Sequence, residues 1–302
     1  MKTNRILITG GCGHIGSYLL RNILSKEITA VDNLLTQRYT SLFNLPNKIK
    51  FIESDIDELT VDDLYGHDVV LHFAAITDAA GSFGNKKEIE DTNIIKTKVL
   101  IDKCIEVGVK KFIFPSSTSV YGVAANEVYE DNSTFLNPQS PYAESKLEIE
   151  NYLKESNIDY VIFRFGTIFG FSEGMRFHTA VNKFCYQSSL KLQLTIWREN
   201  YNQVRPYLGL RDCYHSIMMA IDGKLPKGIY NVVSENKKLS DIVDIVRKHN
   251  PNIKIDFVDT PLLNQYSYNV NYEKIYNLGF RKMDRLKQGI PKILNTLYNL
   301  NG

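Results

Sequence analysis

Residues 5–16 read RILITGGCGHIG, a short apolar run followed at once by closely spaced glycines. The apolar run predicts a strand, and Ile15–Leu24 has the pattern of a helix. Glycines at Gly10, Gly13 and Gly16 let the chain turn sharply, approach a pyrophosphate and pack the helix against the strand. Free N–H groups at the start of the helix would bind that pyrophosphate. The segment predicts a dinucleotide-binding loop, and a plain tight turn is the alternative.

A second predicted strand, Ile28–Asp32, ends in a carboxylate. Asp32 follows the glycines at about the sequence spacing at which a ribose-binding carboxylate is expected. Asp32 would accept hydrogen bonds from ribose hydroxyls and would repel a 2′-phosphate. It therefore favours NAD over NADP as the cofactor. The alternative role for Asp32 is a cap at the end of the strand.

Short apolar runs alternate with helical patterns along the first half of the chain. Further strands are predicted at Ile49–Glu53, Asp68–Phe73, Lys111–Pro115 and Tyr160–Phe165, and helices at Thr92–Glu106 and Tyr142–Glu155. This alternation is typical of βαβ units around a buried parallel sheet. It predicts an α/β protein with a Rossmann-type, doubly wound parallel sheet.

The pattern becomes less regular after Gly166. Turns are predicted at Asn200–Arg205 and Leu225–Gly228, a loop at Gly170–Gly174, and helices at Thr179–Gln187, Leu239–His249 and Gln288–Leu300. We predict an NAD-binding domain over residues 1–165 and a smaller mixed α/β substrate domain over residues 166–302. Segments of the second domain are expected to return to the main sheet.

The composition of the chain argues against several classes of binding partner. The chain has 36 basic and 34 acidic residues, so its net charge of +2 predicts neither a nucleic-acid partner nor a polybasic membrane anchor. No apolar run approaches the roughly 20 residues of a membrane span. The four cysteines and six histidines are scattered, which fits a reducing compartment and predicts no metal site. We therefore expect a cytoplasmic protein without a nucleic-acid, membrane or metal partner.

A tyrosine and a lysine lie four residues apart where the helix at 142–155 begins. This spacing places Tyr142 and Lys146 on one helical face. A nearby ammonium favours the phenolate, so the pair predicts a tyrosine of lowered pKa that acts as a general base. Hydroxyl side chains at residues 116–119 follow an apolar strand. The alternatives are an ordinary aromatic, a solvated lysine, and a turn cap at Ser117.

Together these motifs resemble the extended short-chain dehydrogenases, in the branch of NAD-dependent nucleotide-sugar epimerases and dehydratases that includes UDP-glucose 4-epimerase-type enzymes. The resemblance covers nearly the whole chain. Beyond the glycine loop and Tyr142/Lys146, it is carried by Asp32-Asn33-Leu34, Asp55-Ile56, His72-Phe73-Ala74-Ala75, Asn93, Ser117…Tyr121-Gly122, Pro141-Tyr142-Ala143 and Arg164-Phe165-Gly166.

The resemblance implies a catalytic set of Ser117, Tyr142 and Lys146. Ser117 would polarise the reacting hydroxyl or carbonyl, and Tyr142 would exchange the hydroxyl proton. It also implies a cofactor site made of Gly10, Gly13, His14, Ile15, Gly16, Asp32, Asn33, Asp55, Ile56, Phe73, Ala74, Ala75, Asn93, Tyr142, Lys146 and Phe165.

The residues beside Ser117 limit the reaction. Dehydratases of this family carry Thr-Asp-Glu where this chain has Ser117-Thr118-Ser119, and their two carboxyls eliminate water. Hydroxyl groups have pKa values too high for that work, so we do not expect dehydration by the usual route. The hypothesis is an epimerase with hydride transfer at a sugar carbinol, carbon 4. The alternatives are a net 4-dehydrogenase or keto-sugar reductase, and a non-catalytic regulator that senses NAD.

The second half resembles the family segments that bind a nucleotide-activated sugar. The implied substrate residues are Ser117, Thr118, Asn182 and Arg205. A surface ion pair is the alternative for Arg205. Two departures leave the sugar and the nucleotide open: Tyr266-Ser267-Tyr268-Asn269 stands where the family often has a second phosphate-binding Arg, and Gly209 stands where the family has His.

The family also implies a homodimer built from the helices at 92–106 and 142–155. The helix at 92–106 has more apolar side chains than a single face packed against the sheet would hold. They are Ile94, Ile95, Val99, Ile101, Cys104 and Ile105. The alternative is that this wider apolar face packs against the second domain.

Overall fold

The computed structural model describes residues 5–77, 81–122, 127–259 and 268–299. A seven-stranded parallel sheet lies at its centre, with the strand order β10-β6-β5-β4-β1-β2-β3. Its strands are β1 (Arg5–Thr9), β2 (Glu27–Asp32), β3 (Ile49–Glu53), β4 (Val69–His72), β5 (Lys111–Ser117), β6 (Tyr160–Phe165) and β10 (Gly228–Val232). The predicted Rossmann-type α/β fold is confirmed.

Two smaller sheets come from the second half. Strand β9 (Val204–Gly209) lies between β7 (Thr167–Phe169), which is parallel to it, and β11 (Glu235–Lys238), which is antiparallel. Strands β8 (Leu194–Trp197) and β12 (Ile255–Val258) form a parallel pair.

The helices are α1 (His14–Asn22), α2 (Val61–Leu64), α3 (Lys86–Ile89), α4 (Thr97–Glu106), α5 (Pro141–Glu155), α6 (Ala180–Ser189), α7 (Leu210–Ile221), α8 (Leu239–His249), α9 (Glu273–Asn277) and α10 (Leu286–Asn299). Helices α1 and α7 cover one face of the central sheet, and α4 and α5 cover the other. Successive strand side chains point to opposite faces. Ile6 and Ile8 therefore join the core under α1 and α7, whereas Leu7 joins the core under α4 and α5. A third core joins α6, α8 and α10.

The local structure differs from the sequence predictions in three places. The predicted turn at Asn200–Arg205 ends in strand β9, because pairing with β11 extends the backbone at Val204 and Arg205. The predicted helix at Thr92–Glu106 starts earlier, with α3 and a π-helical segment, Glu90–Lys96, before α4. Helix α7 was not predicted. The last residue of the predicted helix Gln288–Leu300 lies outside the described residues.

Strand β10 extends the central sheet beside β6, as expected for a segment of the second half that returns to the main sheet. The boundary between residues 165 and 166 stays a prediction. No helix in the described ranges is long and apolar enough to cross a membrane, and the cytoplasmic location also stays a prediction. Within the same ranges, no group of three or more His, Cys, Asp or Glu side chains could hold a metal ion.

Candidate active site

A cavity of about 990 Å³ lies at the carboxyl ends of the central strands and also contacts α6, β8 and β9. Open parallel sheets bind ligands at this edge. Most of the predicted site residues line it: Gly10, Gly13, His14, Ile15, Gly16, Asp32, Asn33, Asp55, Ile56, Phe73, Ala74, Ala75, Ser117, Thr118, Tyr142, Lys146, Phe165 and Arg205. Residues far apart in sequence thus meet in one cavity, and Asn93 and Asn182 do not line it.

Two positions of the glycine loop, Gly10 and Gly16, pack too closely to carry a side chain. Gly10 has a φ of +67°, and a Cβ there would lie 2.5 Å from the backbone nitrogen of Ala74. A Cβ on Gly16 would overlap the carbonyl oxygen of Gly10. Helix α1 begins directly after Gly13, so its first N–H groups have no partner within the helix. The loop therefore fits a pyrophosphate at the start of α1.

His14 follows the loop and ties it to the second half of the chain. Its Nε2 lies 2.9 Å from the carbonyl oxygen of Gly170, and burial lowers the pKa of His14 to about 3. The Ser172 hydroxyl donates to the His14 carbonyl oxygen at 2.8 Å. Because the imidazole is neutral, His14 supplies structure and no charge at the predicted pyrophosphate position.

Two carboxylates mark the expected adenosine end of the cavity. Asp32 accepts hydrogen bonds from the backbone nitrogens of Cys12 and Leu34, each at 2.9 Å. Asp55 accepts from Lys96 Nζ at 2.8 Å, and this bond lowers the pKa of Asp55 against the opposing effect of burial. Arg38 also lines this end, and burial lowers its pKa while the charge of Asp32 opposes that shift. Lys96 was not predicted from the sequence.

Asn93 lies behind the cavity wall. Its side chain is buried and exchanges two hydrogen bonds of 2.9 Å with the backbone of Ile76, and its Nδ2 also donates to Ser145 Oγ at 3.3 Å. These bonds join the segment after β4 to helix α5. The same bonds give Asn93 a positioning role, and its predicted contact with the cofactor stays a prediction.

The start of α5 is fixed by its sequence. Ser140 caps the helix by accepting from the Ala143 nitrogen at 3.2 Å, and Pro141 occupies the first turn. This cap places Tyr142 in the first turn and Lys146 one turn later. Lys146 Nζ lies 5.8 Å from the centre of the Tyr142 ring and 4.6 Å from that of Phe114.

The charges around this pair differ from the sequence prediction. Burial raises the pKa of Tyr142, whereas the charge of Arg176 and a hydrogen bond with Ser117 oppose that rise. Burial also lowers the pKa of Lys146 to about 7, with Arg176 adding to the shift and Glu150 opposing it. The expectation that Lys146 lowers the pKa of Tyr142 was wrong, because Arg176 supplies the favourable charge. Arg176 was not among the predicted site residues.

The second half of the chain supplies cations to the cavity. Arg205 lies on β9 with its guanidinium 5.5 Å from the centre of the Tyr268 ring. Its buried Nη2 has no hydrogen-bond partner among the described residues, and Arg205 forms no ion pair with any of them. Arg176 and Lys183 also line the cavity. These groups suit an anionic ligand.

Asn182 holds the loop that carries Arg176. Its Nδ2 donates to the Arg176 carbonyl oxygen at 3.1 Å, and its Oδ1 accepts from the Gly170 nitrogen at 3.4 Å. These bonds give Asn182 a positioning role, and its predicted contact with the substrate stays a prediction. Of the predicted departures from the family, Gly209 has a structural cause, because a Cβ there would overlap the Asp284 side chain. Tyr266 and Ser267 lie outside the described residues.

A glycine loop after the first parallel strand, with Ser117, Tyr142 and Lys146 on the same cavity, defines the class of dinucleotide-dependent oxidoreductases. The sequence profile of the NAD dependent epimerase/dehydratase family matches residues 6–232. The chain belongs to that family. The predicted family and its cofactor, NAD, are confirmed.

Individual relatives span the whole chain. A putative UDP-glucose 4-epimerase of Methanocaldococcus jannaschii is 28% identical, covering 98% of this chain and 99% of the relative. A human dTDP-D-glucose 4,6-dehydratase is 26% identical, covering 96% and 89% respectively. The crystal structure of UDP-glucuronic acid 4-epimerase from Bacillus cereus superimposes with a TM-score of 0.90 at 26% identity, covering 98% of this chain and 99% of that one. Both epimerases and dehydratases are therefore similar to this chain.

Proposed function

We propose that the protein is an NAD-dependent nucleotide-sugar epimerase that acts by reversible hydride transfer at carbon 4 through a keto intermediate. The observation that carries this proposal is the placement of Ser117, Tyr142 and Lys146 on one cavity with the glycine loop and Arg205. The cavity therefore has room and matching groups for a dinucleotide and for an anionic nucleotide sugar.

NAD would supply the hydride acceptor and donor, and the chain would supply positioning and proton transfer. The glycine loop and the start of α1 would bind the pyrophosphate, and Asp32 the adenosine ribose. Tyr142 would take the proton of the sugar hydroxyl and later return it. Ser117 and Tyr142 line the same cavity, which supports a role for both at one substrate oxygen.

Epimerisation is favoured over dehydration by the side chains near Tyr142. Thr118 and Ser119 carry hydroxyls, and the Thr118 hydroxyl donates to the Phe165 carbonyl oxygen at 3.3 Å. The carboxyl side chains among the described residues that line the cavity are Asp32, Asp55 and Glu88. Asp32 and Asp55 belong to the expected adenosine end. Glu88 is then the remaining carboxyl of the described lining, so that lining offers one carboxyl where the family dehydratases carry two, which supports epimerisation.

The reaction can be identified by incubating the protein with NAD in deuterated water and, separately, with UDP-glucose, UDP-N-acetylglucosamine and UDP-glucuronic acid. Hydride transfer at carbon 4 returns the same hydrogen, so an epimerase gives the 4-epimer without deuterium. A dehydratase removes the carbon 5 proton, so its product loses water and carries deuterium. Product mass and nuclear magnetic resonance distinguish the two, and a dehydrated product would contradict the proposal.

The two alternative functions give different results in the same samples. A net 4-dehydrogenase accumulates reduced nicotinamide, which is followed by its absorbance, whereas an epimerase returns to the oxidised cofactor in each cycle. A non-catalytic regulator binds NAD but converts none of the sugars. NAD that stays bound through gel filtration supports the epimerase, because a closed redox cycle needs no exchange of cofactor.

Cofactor preference is expected to depend on Asp32. Its carboxylate would meet a 2′-phosphate with like charge, so NAD should bind at least about tenfold more tightly than NADP in calorimetric titrations. In Asp32→Asn this preference should shrink. Arg38→Leu is the matched test of the nearby cation and should weaken any remaining NADP binding. Equal affinities in the unmodified protein would contradict the role of Asp32.

We further propose a homodimer through α4 and α5. Ile95, Val99 and Ile105 are 52%, 37% and 38% exposed, and a groove beside α5 includes Ile95, Val99 and Tyr152. The sequence analysis counted Ile101 and Cys104 among the apolar side chains available for this interface. The structure places both of them in the core. The remaining exposed apolar side chains support an interface between copies.

Sedimentation at micromolar concentration tests the dimer. We expect twice the chain mass of 34.6 kDa, and a monomer for Val99→Arg, because a charge would be buried in the interface. Leu192→Arg is the control, since Leu192 is 50% exposed outside these two helices. A monomeric unmodified protein, or equal effects of both variants, would contradict the proposed interface.

A further inference from the structure

A buried ion pair joins α5 to β6 behind the cavity wall. Arg164 donates from Nε and Nη2 to the two carboxylate oxygens of Glu150, at 3.0 and 2.6 Å. The two side chains are 1% and 0% exposed. Burial would lower the pKa of Arg164, but the hydrogen bonds and charge of Glu150 raise it, so the guanidinium stays charged. Such a pair is weak evidence for stability, because apolar side chains of similar volume often serve as well.

The carboxylate of this pair connects to both elements that carry the proposed catalytic residues. The hydroxyl of Ser116 donates to Glu150 Oε1, and Ser117 is the next residue at the end of β5. Lys146 precedes Glu150 by one turn of α5, and both side chains are buried. One carboxylate therefore supports the end of β5 and lies one turn from the lysine.

The guanidinium of the pair is fixed from its other side. Arg164 Nη1 donates to the Tyr121 hydroxyl at 3.0 Å and to the Glu130 carbonyl oxygen at 3.4 Å. The Tyr121 hydroxyl donates to Asn231 Oδ1 at 2.7 Å. Tyr121 ends the 3₁₀ turn that begins directly after Ser117. The pair therefore has a single geometry that is set by several elements.

Four titratable groups of the described residues face Lys146. Tyr142 and Glu150 belong to the same helix, Arg176 to the loop before α6, and His72 to β4. His72 is neutral, because burial lowers its pKa to about 3. Arg176 disfavours the ammonium form of Lys146, and Glu150 favours it. Glu150 is thus the anion that offsets the charge of Arg176 at this lysine.

We propose that Glu150, held by Arg164, is a positioning residue: its carboxylate fixes the end of β5 through Ser116 and presents its negative charge one helical turn from Lys146. The inference rests on the proposed function for its choice of Lys146 and Ser117 as site residues. The contacts of Glu150 are independent of that function.

Nuclear magnetic resonance of isotopically labelled lysine ε-carbons measures the pH at which Lys146 loses its proton in the full-length protein with saturating NAD. The Lys146 signal is identified by its absence in Lys146→Met. In Glu150→Gln the amide oxygen can still accept from Arg164, but the negative charge is gone. An ammonium that loses its anion is less stable, so the Lys146 midpoint should fall by about one pH unit.

Glu130→Gln is the matched control, because Glu130 is the other buried carboxylate of this network and accepts from the Asn231 nitrogen at 2.6 Å. Its Lys146 midpoint should equal that of the unmodified protein. An unchanged midpoint in folded Glu150→Gln, or an equal fall in both variants, would overturn the proposal.

A second variant covers the case in which Glu150→Gln does not fold. This variant combines Glu150→Gln with Arg164→Met, so that no charge of the ion pair is left buried without a partner. The midpoint should again lie below that of the unmodified protein, and an equal midpoint would overturn the proposal. The measurement needs no sugar substrate. A protein that converts none of the tested sugars therefore counts against the proposed function alone.

Discussion

Tyr142→Phe is expected to lower turnover by about 10²–10⁴-fold while the protein keeps its fold and binds NAD. The phenyl ring fills the same space at the start of α5, but the group that accepts the sugar hydroxyl proton is gone. The assay follows conversion of whichever UDP-sugar the unmodified protein epimerises, and NAD binding is measured by calorimetry in parallel.

The control for this prediction is Tyr214→Phe on α7. Its hydroxyl donates to the Asn22 carbonyl oxygen at 3.2 Å, and Tyr214 does not line the cavity. This variant should keep the turnover of the unmodified protein. Full turnover of Tyr142→Phe at every pH would remove Tyr142 from the mechanism.

The affinity of the unmodified protein for NAD is expected to depend on pH through Lys146. Lys146 has a pKa lowered to about 7 by burial and by Arg176. Under the proposed function its ammonium form would donate a hydrogen bond to a ribose hydroxyl of NAD. The contribution of a group that binds only in its protonated form is lost as the pH rises through its pKa. Affinity for NAD should therefore weaken above about pH 7, and in Lys146→Met this part of the pH dependence should disappear from the calorimetric titration.

The sequence predicts those parts of the fold that depend on neighbouring residues. Strands β1, β3 and β6 and helix α8 begin and end where their apolar patterns do. The glycine loop is equally local, because positions 10 and 16 are fixed by the turn and the helix that follows it. These signals need no knowledge of distant residues.

The parts that were missed depend on contacts between distant segments. Arg205 was predicted in a turn, but pairing with Lys237 of β11 places it on strand β9. Arg176 lies 34 positions after Tyr142 in the sequence, and only the folded chain brings its charge to the tyrosine. The raised pKa of Tyr142 has the same origin, because burial cannot be read from the spacing of Tyr142 and Lys146.

Asn93 and Asn182 show a further limit. Their positions along the chain were predicted from the family, and the structure places both side chains next to the cavity wall but turned to backbone partners. A motif identifies the residue that a site needs. It does not distinguish a side chain that contacts the ligand from one that positions a neighbouring ligand-contacting residue.

Gly16→Ala is expected to remove most NAD binding. The added Cβ would overlap the carbonyl oxygen of Gly10 and lie 2.8 Å from the Cα of Gly11. Both contacts are backbone atoms that no rotamer change can move, so α1 must shift away from the loop. Overpacking of this kind destabilises a protein by about 1–3 kcal/mol. The shift also moves the N–H groups at the start of α1 from the pyrophosphate position, so NAD affinity should fall at least about tenfold.

Thermal unfolding with and without NAD measures both effects of Gly16→Ala. At 100 times the dissociation constant of the unmodified protein, NAD should stabilise that protein by about 2.7 kcal/mol and the variant by clearly less. Gly228→Ala is the control, because the nearest atom to its Cβ would be the Tyr230 hydroxyl at 3.6 Å, an ordinary contact. The control should keep the full NAD effect. If Gly16→Ala keeps it too, the pyrophosphate does not lie at the start of α1, and the assignment of the glycine loop is wrong.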